Sequence, residues 1–305
     1  MSPLPDQIRS LGPVIDPVAT RQMFGQVACC NASPGRQVLD IAYGSHARHR
    51  LDIYGADSTG AARPVLVFVH GGGFVRGDKS ERAWIGHHFA CEGFVCVVQN
   101  YRLAPQGVWP AGAEDVAAAL GWTQRSIAQF GGDPARIFAV GESAGAAHVA
   151  AASLLRRFHG PGGLGIAGAA LLSGVYNPRL EYLARKQFGL PTPDPRNDAY
   201  FGSAPEEYAK QSVVALVDAA PFPLLISYAE LDPAQMQVQA GELFARLVAT
   251  NGFQPELKVI PGHNHLSQIW SLGTADTGLS GVLLDFIQAC APAPESGAAP
   301  PRPWP

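Results

Sequence analysis

A chain of 305 residues with 47% hydrophobic and 15% charged side chains can bury a large core and carries too little charge for general disorder. Its net charge of −3, without a long basic run, speaks against nucleic acid or an anionic membrane surface as a partner. Five cysteines, Cys29, Cys30, Cys91, Cys96 and Cys290, show no metal-ligand or redox spacing, and their odd count and vicinal pair point to reduced thiols and a cytoplasmic location.

The first ten residues carry Pro3, Pro5 and Asp6 and lack the apolar core of a signal peptide. No apolar run is long enough to span a bilayer. Residues 1 to about 37 precede the first strand pattern. Val38–Ala42 and Arg50–Tyr54 read as a strand pair around Gly44. Val65–Val69 is a short buried run ending on His70. A helical pattern over Ser80–Cys91 leads to the run Phe94–Gln99, which ends on Asn100-Tyr101. A second helical pattern, Glu114–Phe130, precedes Arg136–Val140, which leads into Gly141. Ala144–Phe158 is again helical, and Ala169–Leu172 follows a glycine-rich turn.

The alternation then breaks from Gly174 to about Pro221, a stretch with Tyr176, Tyr182, Phe188, Tyr200, Phe201 and Tyr208 among prolines. It resumes with Leu224–Tyr228 before Glu230-Leu231-Asp232, a helical pattern over Gln235–Asn251, and Leu257–Ile260 before Pro261-Gly262-His263-Asn264-His265. Gly278–Ala289 closes the series, and the Pro- and Ala-rich stretch 291–305 is expected to be disordered. Apolar spacing of three to four marks the helices. Strand and helix in alternation call for an α/β fold: a mostly parallel, eight-stranded sheet with helices on both faces. We expect one catalytic domain over residues 1–290, with segments of about 1–37 and 174–221 forming a helical cap.

In such a sheet ligands bind beyond the carboxyl ends of the strands, and every polar motif of the chain sits at such an end. His70-Gly71-Gly72-Gly73 suits an oxyanion cradle. Preorganised N–H groups stabilise a tetrahedral oxyanion, and we expect those donors to be the backbone N–H groups of Gly72, Gly73 and Ala144. His70 is expected to hold that loop. Gly141-Glu142-Ser143-Ala144-Gly145 follows a buried run and opens a helix, as a nucleophilic serine on a tight turn requires. A Gly-x-Ser-x-Gly match alone is weak in a chain with 34 glycines. Its weight comes from the strand before it, the helix after it and the cradle upstream.

A nucleophilic serine needs a base, and the base an orienting carboxylate. Of the nine histidines, His263 and His265 follow a late strand, and His265 is preferred because a helix-like segment begins beside it. Asp232 follows the preceding strand and is the expected acid, with Glu230 as its competitor, its side chain facing into the surrounding packing. The pair His263-x-His265 lacks a nearby third ligand for a metal. The cap aromatics with Phe74, Trp84 and Trp109 suggest an apolar pocket, and no lone charged residue stands out as a substrate anchor. A homodimer through the edge strand or the last helix is compatible with the pattern.

Taken together, these residues resemble the α/β-hydrolase fold, in the branch similar to hormone-sensitive lipase. His70-Gly71-Gly72-Gly73-Phe74 resembles the cradle of that branch and Tyr101-Arg102-Leu103-Ala104-Pro105 its loop after the fourth strand. Glu114-Asp115-Val116 and Phe130-Gly131-Gly132-Asp133-Pro134 resemble its approach to the nucleophile. The resemblance runs from about Val38 to Ala289. Glu142 stands where the branch often has Asp. His265-Leu266-Ser267 is more similar to bacterial enzymes akin to feruloyl esterases and kynurenine formamidases. The resemblance implies a serine carboxylic ester hydrolase. It would cleave short-acyl or aryl esters of small molecules through an acyl-enzyme on Ser143, without a metal or organic cofactor. An arylformamidase of the N-formylkynurenine type, using the same triad, is the alternative.

Overall fold

The computed structural model describes residues 3–25 and 35–290. Cys29, Cys30 and the expected disordered tail lie outside the described residues. In chain order the elements are α1 (Leu4–Leu11), α2 (Pro17–Phe24), β1 (Arg36–Ala42), β2 (Arg50–Ala56), β3 (Arg63–Val69), α3 (Ala83–Cys91), β4 (Val95–Gln99) and α4 (Ala111–Ser126). They continue with β5 (Gly132–Glu142), α5 (Ala144–Leu154), β6 (Gly168–Leu172), α6 (Pro178–Gln187), α7 (Pro195–Phe201), α8 (Val213–Leu216), β7 (Leu224–Leu231), α9 (Ala234–Asn251), β8 (Glu256–Asn264), α10 (Ser267–Trp270) and α11 (Gly278–Ala289).

Among the described residues eight strands form one sheet in the order β1-β2-β4-β3-β5-β6-β7-β8. β2 pairs antiparallel with both β1 and β4, and the other neighbours are parallel. The arrangement follows from side-chain alternation. In β3, Val65, Val67 and Val69 join the core on one face of the sheet, while Leu66 and Phe68 join the core on the other. A strand covered on both faces is apolar at every position, and each such side chain removed from water contributes about 1.5–3 kcal/mol. Helix α5 is buried at all of its residues. Its alanines and glycine keep it thin enough to pass between the sheet and the neighbouring helices, so it has no polar face.

Several boundaries differ from expectation. The end of the predicted helix Glu114–Phe130 is a separate 3-10 turn, Ile127–Phe130, closed by Gly131 in the left-handed region. The predicted helix Ala144–Phe158 stops at Leu154, with a second 3-10 turn over Arg156–Phe158. β8 runs on through Pro261 and Gly262 to Asn264, where a turn was expected. As the last strand of the sheet it tolerates a proline, and its pairing with β7 shifts register there, from Ala229 opposite Ile260 to Leu231 opposite Asn264.

The segments outside the alternation are helical. Asp16, Asn177, Asp194 and Ser212 accept backbone N–H groups at the starts of α2, α6, α7 and α8, which satisfies donors that the helix itself leaves open. Tyr200, Phe201 and Tyr208 pack with Phe74, Ala144 and Ala147 in a third cluster, so the 174–221 segment is seated directly on the turn that carries Ser143.

Candidate active site

β5 ends on Glu142 and α5 begins on Ala144, which leaves Ser143 alone between strand and helix. Its backbone sits at φ 53 and ψ −119, a conformation that costs a non-glycine residue roughly 1–3 kcal/mol. The hydrogen bond from Ser143 N–H to the Leu172 carbonyl, 2.8 Å, helps hold it. The flanking glycine is required by close approach: a Cβ on Gly145 would lie 2.1 Å from the Val69 carbonyl oxygen. The turn thus aims the Ser143 hydroxyl away from the sheet.

The loops after β7 and β8 bring the other two expected residues to it. His265 Nε2 lies 3.0 Å from Ser143 Oγ, and His265 Nδ1 lies 2.7 Å from Asp232 Oδ1. Asp232 is fully buried. Its second oxygen accepts from Ser173 Oγ at 2.5 Å and from the Ala229 N–H at 2.8 Å, and Gln268 Nε2 donates to Ser173 Oγ at 2.6 Å. The competitors are placed elsewhere. His263 contacts Ser267 and Asp276 through its two ring nitrogens, away from Ser143. Glu230 is exposed and accepts the Gly262 N–H. Its side chain therefore does not face into the packing as expected.

The cradle loop follows β3. Gly72 has φ 138, and a Cβ there would lie 1.9 Å from the Arg76 carbonyl oxygen, so only glycine fits. Among the described residues the N–H groups of Gly72 and Gly73 meet no acceptor, and Ala144 opens α5, where an N–H has no intrahelical partner. The N–H of Gly71 is already committed to Glu142 Oε1 at 2.8 Å. His70 is buried, and burial pulls its imidazole down to about 4, so it is neutral at neutral pH. It donates from Nδ1 to the Gly71 carbonyl at 2.7 Å, and its own carbonyl accepts from the Tyr101 hydroxyl at 2.9 Å. His70 therefore holds the loop.

Glu142 was singled out in the sequence only as a departure from a motif. In the structure it is buried and ties the two glycine motifs together. Besides the Gly71 N–H it accepts Arg82 Nε at 2.7 Å, and Arg82 NH2 lies 2.6 Å from the same oxygen. Glu142→Gln keeps an acceptor for Gly71 but leaves Arg82 without a counter-charge. We expect kcat to fall about 10- to 100-fold through misplacement of the cradle, with KM changing less, and Glu142→Asp to recover part of it. Steady-state kinetics of the three proteins measures this, and equal kcat values would refute the role.

A pocket opens over Ser143 and His265. Its walls are the cradle glycines with Leu172, Leu266, Ile269 and Trp270, and residues of both extra segments, Ile15, Pro17 and Arg21 on one side and Arg196 on the other. Two expectations fail here. Phe74, Trp84, Trp109 and the aromatics of 174–221 do not line this pocket. Phe74 stacks on Tyr200 with ring centroids 4.6 Å apart, and the two form the packed layer beneath the site. Charged residues do reach the pocket: Arg21, Arg76, Arg82 and Arg196, with Glu81 and Glu142.

A family profile described as the alpha/beta hydrolase fold matches residues 66–269. The chain belongs to the α/β-hydrolase fold family. Among members with curated names, the probable isoprenylcysteine alpha-carbonyl methylesterase ICMEL1 of Oryza sativa subsp. japonica is 38% identical over 117 residues, 38% of this chain and 27% of that one. The probable carboxylic ester hydrolase LipM of Mycobacterium tuberculosis is 41% identical over 111 residues, 35% of this chain and 26% of that one. The chain spans about a quarter to a third of the length of the curated relatives it matches. Among solved structures, that of a bacterial heroin esterase superposes with a TM-score of 0.69 at 25% identity, covering 95% of this chain and 96% of the other. Among the described residues no helix is long and apolar enough to cross a membrane.

Proposed function

We propose that this α/β-hydrolase is a serine carboxylic ester hydrolase that cleaves a short-acyl or aryl ester of a small molecule through an acyl-enzyme on Ser143. The observation that carries the reading is the continuous hydrogen-bonded line Ser143–His265–Asp232, at 3.0 and 2.7 Å, opening into a pocket that also holds Gly72 and Gly73. The esterase names of its relatives agree with it.

The chemistry follows from the proton positions. Asp232 accepts the Nδ1–H of His265, which leaves Nε2 neutral and able to take the Ser143 proton. Ser143 Oγ then bonds to the carbonyl carbon. The carbonyl oxygen becomes an oxyanion held by the N–H groups of Gly72, Gly73 and Ala144. Collapse breaks the bond to the alcohol oxygen, which takes the proton from Nε2 and leaves as the free alcohol. Water then gives a proton to Nε2 and attacks the acyl carbon, releasing the acid and restoring the Ser143 hydroxyl.

Rates on p-nitrophenyl acetate, p-nitrophenyl butyrate and N-formylkynurenine, measured side by side, test the assignment. Ester rates above the formamide rate are the expected result. A formamide rate above both moves the protein to the amidases, and the absence of turnover together with no labelling by a fluorophosphonate probe refutes a hydrolase. A cytoplasmic setting is in keeping with the thiols of Cys96 and Cys290, which form no disulfide. Exposed Leu257 and Val259 on the edge strand β8 would suit a homodimer.

A further inference from the structure

Four arginines reach the pocket over Ser143, each from a different part of the chain: Arg21 on α2, Arg76 just after the cradle, Arg82 before α3 and Arg196 on α7. Two carboxylates, Glu81 and Glu142, share the lining. Four guanidinium groups against two carboxylates leave an excess of two positive charges, in a chain whose net charge is −3. A neutral ester has no use for this. Cations at the wall of an apolar acyl site must lose hydration as the ligand enters, with nothing gained in return.

The arginines differ in how their charge is already spent. Arg82 is neutralised by Glu142. Arg196 is half committed: Nε and NH2 donate to the two oxygens of Asp194, at 3.0 and 2.6 Å, which fixes the plane of the guanidinium and leaves the NH1 edge over. That edge lies against the cradle, because a Cβ built on Gly73 would sit 2.8 Å from Arg196 Cδ and 3.4 Å from its NH1. Asp194 is also shared with Arg185 at 3.2 Å, and Arg185 in turn faces Glu181 at 3.5 Å. Burial raises the Glu181 carboxyl to about 7, so around neutral pH Glu181 is only partly ionised, and the two carboxyl groups of this four-membered cluster do not fully offset its two guanidinium groups. Arg21 and Arg76 are exposed, and among the described residues neither has a carboxylate within ion-pair distance. An oriented fork beside the cradle, with two uncommitted guanidinium groups at the rim, matches the planar, bidentate geometry of a carboxylate.

We propose that the pocket selects anionic esters, substrates in which a carboxylate elsewhere in the molecule is held by Arg196 with Arg76 and Arg21 while Ser143 attacks the ester carbonyl. The inference rests on the ester-hydrolase reading above and adds the substrate class to it.

Two matched pairs test it in the full chain. 4-Acetoxybenzoate against 4-acetoxybenzamide places the carboxylate on the alcohol side. Monomethyl adipate against its monoamide places it on the acyl side. In at least one pair the anion should be preferred about tenfold or more in kcat/KM, as a charge-assisted hydrogen bond implies, and the preference should shrink with added salt. Arg196→Gln should bring the ratio towards one, and Arg196→Lys, which keeps the charge and loses the fork, should restore only part of it. Arg196 is also tied to Asp194, so Arg76→Gln, at an exposed and unpaired position, provides a second variant. It too should lower the ratio. Amide turnover with both wild-type ratios at or below one overturns the inference and leaves the hydrolase standing. A preference that survives both substitutions overturns the assignment to these arginines. Absence of turnover on all four compounds and on p-nitrophenyl acetate removes the hydrolase reading, and the inference with it.

Discussion

Ser143→Ala is expected to lower ester turnover by roughly 10⁶-fold, the scale on which a serine hydrolase loses rate when its nucleophile is removed. The protein should remain folded. The side chain makes one hydrogen bond, to His265 Nε2, and alanine at φ 53 carries the same backbone strain as serine. A melting-temperature comparison therefore isolates the hydroxyl from the turn, and the shift should be no more than a few degrees for a change of this size. Labelling by a fluorophosphonate probe should vanish in the same variant. A protein that is folded, unlabelled and inactive assigns the nucleophile. One that is folded and still turns over esters at more than a trace of the parent rate places the chemistry on another residue.

The parts of the fold that were readable in the sequence are those set by local rules. The β3 run of Val65 to Val69 feeds both faces of the sheet in turn, and a fully apolar short run is the sign of such a strand. The glycines of the two motifs were readable because backbone from another strand passes within 2.1 Å of where a Gly145 side chain would begin. His265 and Asp232 were readable because each follows the end of a parallel strand.

What the sequence hid depends on segments far apart in it. Glu142 meets Arg82 across 60 residues, and nothing local marks an arginine in a 3-10 turn as its partner. Each of Arg21, Arg76 and Arg196 looks like a solvated surface residue in its own segment, and only the packing of α2 and α7 around the cradle brings them to one pocket. The aromatics of 174–221 misled for a related reason. The apolar area of Tyr200, Phe201 and Tyr208 is consumed by Phe74 and the α5 start beneath the site, so three residues that looked like a substrate wall became the support of the cradle. Pro261-Gly262 reads as a turn by composition, yet an edge strand absorbs both.

Asp232→Asn should cost about 10⁴ in kcat, as it does where the orienting carboxylate of a serine triad is replaced, and here the surrounding donors say why. In the parent, Oδ1 accepts from His265 and Oδ2 accepts from both Ser173 Oγ and the Ala229 N–H. An asparagine has one acceptor oxygen for these two sides. If its oxygen faces His265, its NH2 group points at the Ala229 N–H, which cannot rotate away, and a buried donor loses its partner at about 1–3 kcal/mol. If its oxygen faces Ala229 and Ser173, its NH2 group points at His265 Nδ1, which must then be the unprotonated nitrogen. The ring proton moves to Nε2, where it faces Ser143 Oγ as a donor, and the base is gone. The backbone N–H favours the second arrangement, because the Ser173 hydroxyl can turn and already has Gln268 as a donor. The variant should therefore be folded, retain the Ser143–His265 distance, and show the Nε2-protonated tautomer in 15N spectra of its histidines. Full activity, or an Nδ1-protonated His265 with the rate still lost, would remove the tautomer argument and leave Asp232 with a packing role alone.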